Sequence, residues 1–190
     1  MSRRAGYSLI EIMLVIGLVG TIVTKLTFVL KEASDAHREE ANGIALQDQA
    51  SRVIDQIAWK VYAAHRETIT PVREAPEYSQ DFEYQVHLGF ENGEVVMSDP
   101  EIIRNDNSTV TWSKVDNSQS VSWCNTVAEY LLGEIGGDSI DNNENALFDE
   151  AGLTFDVDRD LVRIQLTLTR TLSTGETISF SEETSVTCRN

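Results

Sequence analysis

Three groups of side chains in this 190-residue sequence have the type and spacing to do chemistry. Glu11 lies inside an apolar run, Tyr7 to Leu30, whose only other charge is Lys25. Inserting a carboxylate into a membrane segment costs about 2.5 to 3.5 kcal/mol, so its presence points to a role and a partner. Asp141, Asn143 and Asn145 occupy alternate positions, with Asp149 and Glu150 close behind, in an oxygen-rich stretch from Gly136 to Gly152. Calcium takes about six to eight hard oxygen ligands, and alternate carboxylate and amide side chains can converge on one ion. Cys124 and Cys188 are the only cysteines. In an oxidising compartment they could pair, closing a loop of about 65 residues for about 4 kcal/mol on the chain-entropy model. Two separate buried thiols are the alternative.

The acidic stretch resembles the opening of an EF-hand loop, with Asp141, Asn143, Asn145 and Asp149 at its first, third, fifth and ninth positions. Ala146 stands where the sharp turn needs glycine, and Gly152 where a bidentate glutamate belongs; Glu150 would substitute in a shortened loop. A structural calcium ion is one expectation here, with no cofactor required for chemistry. A solvated turn-rich loop is the other.

Nothing else suggests catalysis. There is no nucleophile motif, phosphate-binding glycine loop or zinc spacing, and His37, His65 and His87 are scattered. Glu39-Glu40, Asp149-Glu150 and Glu182-Glu183 are adjacent in sequence, the pattern of solvated faces, so the chain is expected not to be an enzyme. The formal net charge of −16, from 31 acidic and 15 basic residues, argues against direct nucleic-acid binding, because neutralising phosphates requires clustered Lys and Arg.

The elements that position these groups begin with the apolar run. It is about 24 residues, roughly 36 Å as a helix, enough to span the hydrocarbon layer of a bilayer. Arg3 and Arg4 precede it, and basic residues beside a hydrophobic segment favour the cytoplasmic side. The small-residue pair Ala5-Gly6 comes before the apolar run, whereas an ordinary secretory signal carries its cleavage site after it. A cut after Gly6 would keep the helix and create an α-amine on Tyr7, four residues from Glu11.

Gly6-Tyr7-Ser8-Leu9-Ile10-Glu11, followed by Ile12-Met13-Leu14-Val15-Ile16-Gly17, resembles the prepilin motif of type IV pilins and type II secretion pseudopilins. The resemblance implies that a prepilin peptidase cuts between Gly6 and Tyr7 and methylates Tyr7. It also implies that Glu11 pairs with the amine of an adjacent subunit during assembly. Tyr7 replaces the usual Phe, and Phe28 stands where many members have a helix-bending proline. Expected partners are the peptidase, other pilin or pseudopilin subunits and an inner-membrane assembly platform. The expected location is a single-pass inner-membrane protein, N-terminus cytoplasmic and head periplasmic or extracellular, which then enters a filament.

The resulting organisation is a leader over 1–6, a membrane and assembly helix over 7–30, a helical continuation over 31–70 and a β-rich head over 71–190. Ala45, Leu46, Val53, Ile54, Ile57, Ala58, Val61 and Tyr62 recur at helical spacing, with Pro71 and Pro76 ending the region. Alternation predicts a strand over 81–90, an Asn92-Gly93 turn, a return strand over 94–97, and strands over 109–115 and 119–124. A helical turn is expected over 127–132. A terminal hairpin pairs 161–170 with 177–187 around Gly175, its apolar set Val162, Ile164, Leu166 and Leu168 facing the helix. The fold class is therefore α+β, a long N-terminal helix packed on an antiparallel sheet, as in pilins. The terminal hairpin is most similar to those of minor pilins or minor pseudopilins. The functional expectation is a structural subunit of a pilus or secretion pseudopilus. The alternative is a membrane-tethered binding module that never polymerises.

Overall fold

The computed structural model describes residues 8–70, 78–145, 147–158, 161–172 and 174–188. Gly6, Tyr7, Arg3, Arg4, Pro71, Pro76 and Ala146, each invoked above, lie outside them. Among the described residues one helix, α1 (Leu9–Ala63), is followed by a short 3-10 turn at Arg66–Thr68 and nine strands. The chain divides into two compact units, Met1–Asn42 and Gly43–Asn190.

In the first unit Ser8 immediately precedes α1, and its carbonyl accepts the amides of Glu11 and Ile12 at 3.0 and 3.2 Å. From Leu9 to Leu30 every residue is exposed. The hydroxyls of Thr21, Thr24 and Thr27 bond back to the carbonyls of Leu18, Gly20 and Val23 at 2.8 to 2.9 Å. These three hydroxyls thereby satisfy themselves within the helix. Leu9 to Leu30 spans about 33 Å at 1.5 Å per residue, and α1 is long and apolar enough to cross a membrane.

In the second unit the helix becomes amphipathic. Leu46, Ala50, Val53, Ile54, Ile57 and Val61 recur at three- and four-residue spacing and are buried. Ala45 and Tyr62, expected on that face, are exposed. The helix ends at Ala63, short of the predicted 70, where Ala64 bridges Val86 and His65 N–H bonds the Gln85 carbonyl. Sheet pairing thus takes over the backbone before any proline is reached.

The strands are all antiparallel. β1 (Asp81–Tyr84), β4 (Glu101–Asp106), β5 (Thr109–Lys114) and β6 (Ser120–Cys124) form a four-stranded sheet in the order β1-β4-β5-β6. β2 (His87–Glu91) and β3 (Glu94–Met97) make a hairpin. β7 (Leu153–Asp158), β8 (Leu161–Thr171) and β9 (Thr177–Thr187) form the third sheet with β8 central. The second part of α1 packs on this sheet system, giving the expected α+β fold. Val162, Ile164, Leu166 and Leu168 are fully buried, as the alternation of β8 requires. The predicted strand over 81–90 splits at Gln85, which gives its amide to Thr68 Oγ1 and its side-chain amide to the Ser98 carbonyl. The segment expected to form a helical turn at 127–132 instead adds bridges Val127–Leu168 and Tyr130–Ala151. The amides of Val127, Ala128 and Leu131 bond the carbonyls of Ser108, Thr167 and Glu150, so no helical ladder is made there.

Candidate functional site

The first expected site is the apolar stretch of α1. Glu11 is solvent-exposed in the helix's first turn and, with Ile12, Val15 and Ile16, lines a shallow groove. Among the described residues it has no ion-pair partner. A carboxylate here is well placed in one respect, because the first turn carries the partial positive charge of the helix dipole. Gly17 and Gly20 leave open space, nothing standing within 4 Å of where a Cβ would be. A neighbouring helix could therefore approach the backbone closely at those positions.

The second expected site is the loop ahead of β7. Asn145 N–H bonds the side-chain oxygens of Asp141 and Asn143 at 3.0 and 3.1 Å, and Asn145 Oδ1 accepts the Leu147 amide at 2.9 Å. These are local side-chain turns, which explains the alternate spacing. Glu150 is fully buried. Its carboxylate accepts the side-chain amides of Asn145 and Asn143, the latter at 3.5 Å. Burial pushes the Glu150 carboxyl above its ordinary value against the Asn145 bond, and the charges of Glu134 and Asp141 add to the rise. Glu134 Oε1 accepts the Asn143 amide at 3.1 Å, while its Oε2 is buried without a hydrogen bond.

Four of the five predicted ligands, Asp141, Asn143, Asn145 and Glu150, therefore come together. Asp149 does not join them. Its two oxygens accept the amides of Gly137, Asp138 and Ser139 at 2.7 to 3.2 Å, closing the start of the loop. The twelfth EF-hand position, Gly152, has a different duty: a Cβ there would stand 2.1 Å from the Ala128 carbonyl oxygen. Only glycine admits that close approach. Among the described residues no three His, Cys, Asp or Glu side chains form a metal-holding group. Glu134, whose spacing lies outside the EF-hand pattern, is the member of this cluster that sequence reasoning missed.

No family model, no curated protein and no solved structure matches this chain.

The two cysteines, expected as a pair or as separate thiols, stand at the end of β6 and just past β9. Thr187, next to Cys188, pairs with Leu161 at one end of β8, whereas Thr126, just past Cys124, accepts the Thr169 amide near the other. Both residues are buried in the core, and burial pushes the Cys124 thiol up, against its accepted backbone bonds.

A third polar cluster was not expected. Glu101 Oε2 accepts Tyr84 O–H at 2.7 Å, Trp112 Nε1–H at 2.7 Å and Lys60 Nζ at 3.0 Å. Lys60 also lies 4.1 Å from the Trp112 ring centroid, a cation–π contact. The four residues come from α1, β1, β4 and β5, so no sequence spacing announces them. The cluster ties the helix to the sheet.

Proposed function

We propose that this chain is a structural subunit of a pilus-like or type II secretion pseudopilus filament, inserted in the inner membrane with its head outside. One observation carries the reading: a fully exposed apolar helix, Leu9 to Leu30, bears a single carboxylate, Glu11, in its first turn with no ion partner among the described residues. In lipid such a segment needs no protein partner, but Glu11 does. Cleavage between Gly6 and Tyr7 by a prepilin peptidase supplies an α-amine. That amine on an adjacent subunit then pairs with Glu11 in a low-dielectric bundle of helices. The pair forms only between neighbours in one register, so it selects assembly geometry.

The head carries the specificity of the subunit within the filament, and a calcium ion at Asp141, Asn143, Asn145 and Glu150 belongs to the same proposal. Bound there, the ion would supply charge compensation for buried Glu150 and order the loop. The proposal assigns no catalytic role.

The test is mass spectrometry of the mature N-terminus together with filament incorporation. The expected result is an N-methylated Tyr7, with Glu11→Ala inserted and cleaved normally but incorporated at least about tenfold less. An intact Met1 overturns the proposal and favours a tethered binding module, and a cut beyond Leu30 overturns it by releasing the head from its anchor. Normal incorporation of Glu11→Ala removes the role given to Glu11.

A further inference from the structure

A groove of about 360 Å³ opens between α1 and β6, lined by Asp55, Gln56, Trp59 and Lys60 from the helix and by Trp123 from the strand. Helical spacing sets two rows on α1, Asp55 beside Trp59 and Gln56 beside Lys60, each pair four residues apart. Trp59 is 71% exposed and is braced by Tyr62 on the next turn, their ring centroids 6.1 Å apart. Trp123 owes its place to a bulge. Val110 pairs with Cys124 and Thr111 with Ser122, so Trp123 is an extra residue in β6 with no partner in β5. Cys124 and Trp123 both pack against the core, which strict alternation along a strand would not allow.

The side chains of Asp55 and Gln56 have no hydrogen bond or ion pair among the described residues. Lys60 is already matched: its Nζ lies 3.0 Å from Glu101 Oε2 and 4.1 Å from the Trp112 ring centroid. The uncompensated charge of the groove is therefore the Asp55 carboxylate, flanked by two indoles, on a chain of net charge −16. Indoles and a carboxylate together attract an organic cation, and the overall charge repels an anion.

Donor count selects among cations. A primary ammonium brings three N–H donors, which the groove would have to satisfy with two unengaged side chains, Asp55 and Gln56. A quaternary ammonium brings none, and its charge is spread over methyl groups that pack on aromatic rings. We infer that the groove binds a quaternary ammonium of the choline type, held by Trp59, Trp123 and Asp55. Lys60 selects the carrier. Its ammonium keeps donors beyond the one given to Glu101, so a phosphate joined to the cation finds a counter-charge in the same groove. Phosphocholine meets both demands, whereas a trimethylated lysine side chain carries no anion. This inference rests on the head alone and does not depend on filament assembly.

The experiment titrates the full chain, in a sugar-based detergent without an ammonium group, with phosphocholine, reading calorimetry and the indole N–H signals by NMR. Saturable binding is expected, with the Trp59 and Trp123 signals moving together. Trp59→Ala and Asp55→Asn, both at exposed positions outside the core, should each weaken binding by about fivefold or more. Two analogues complete the test: phosphoethanolamine, and a neutral phosphocholine in which carbon replaces the nitrogen. Each should bind about tenfold more weakly than phosphocholine or worse. Absence of saturable binding overturns the inference, as does a Trp59→Ala variant that binds normally. Equal binding of the carbon analogue overturns it too, since that would be apolar contact without a cation. If phosphoethanolamine binds equally, the site is not selective for a quaternary ammonium. Tighter binding of a trimethyl-lysine peptide than of phosphocholine overturns the carrier.

Discussion

Glu101 shows how one buried carboxylate can tie a helix to a sheet. Its side chain is 13% exposed. Burial alone would raise its carboxyl, but the combined hydrogen bonds from Tyr84, Lys60 and Trp112 outdo that and hold it below the ordinary value. Tyr84 is affected oppositely: burial, then the bond to Glu101 and its charge, push the phenol far up, so it remains a donor. A carboxyl whose folded value is depressed adds stability above its unfolded value, and that stability disappears as pH falls through the folded value. Glu101→Gln should therefore cost roughly 2 to 4 kcal/mol at neutral pH. The gap between wild type and variant should be constant above the ordinary carboxylate range and close as pH falls below it. Urea melts of both proteins along a pH series check this; a gap that widens in acid contradicts the assignment. Nothing in the local sequence marks Glu101, because its three donors come from three other elements. Glu11, by contrast, stands out at once, since its context is a run of neighbours along one helix.

At the scale of elements, what was legible is what depends on nearby residues. Asn92 and Gly93 carry φ of +53° and +86°, the two left-handed positions of the hairpin turn that Asn-Gly favours. The alternation of 161–170 and 177–187 became β8 and β9, and the helical spacing of 46–61 became the buried stripe of α1. β4 and β7 were not foreseen. Glu101–Asp106 is short and closes on polar residues, and Leu153–Asp158 is buried at three successive inward and outward positions, Leu153, Thr154 and Phe155, so neither shows a clean period-2 pattern. The acidic loop was half legible. Its Asx spacing was visible, but Asp149's use in bonding Gly137–Ser139 and Glu134's place beside Asn143 both depend on chain reversal. If the loop takes calcium, adding the ion to chelator-treated protein should raise the melting temperature, by about 2.7 kcal/mol of added stability at a hundred times the dissociation constant. Glu150→Gln should abolish that rise while Asp149→Asn, outside the cluster, should retain it. Calorimetric scans with and without calcium measure both, and no shift in wild type removes the ion from the proposal.

For the whole molecule, the division at Asn42–Gly43 coincides with a change in what the helix contacts. Every buried residue of α1 lies from Leu46 onward, and the apolar residues from Leu9 to Leu30 are all exposed. Folding of the head should therefore need none of the first 42 residues. Removing residues 1–42 exposes no core residue, so the remainder should be soluble without detergent and melt cooperatively within a few degrees of the full chain. Removing residues 1–53 differs by a few helical turns only, yet it deletes Leu46, Ala50 and Val53 from the core. At about 1.5 to 3 kcal/mol for each large side chain, that loss approaches the whole stability of an ordinary domain, about 5 to 15 kcal/mol. Circular dichroism melts of the two truncations make the comparison. If both unfold, the head depends on the apolar segment; if both fold, the helical stripe contributes little and the sheets carry the core alone. A folded shorter deletion beside an unfolded longer one places the working boundary where the burial pattern puts it, and leaves the exposed segment free for the membrane and for neighbouring helices.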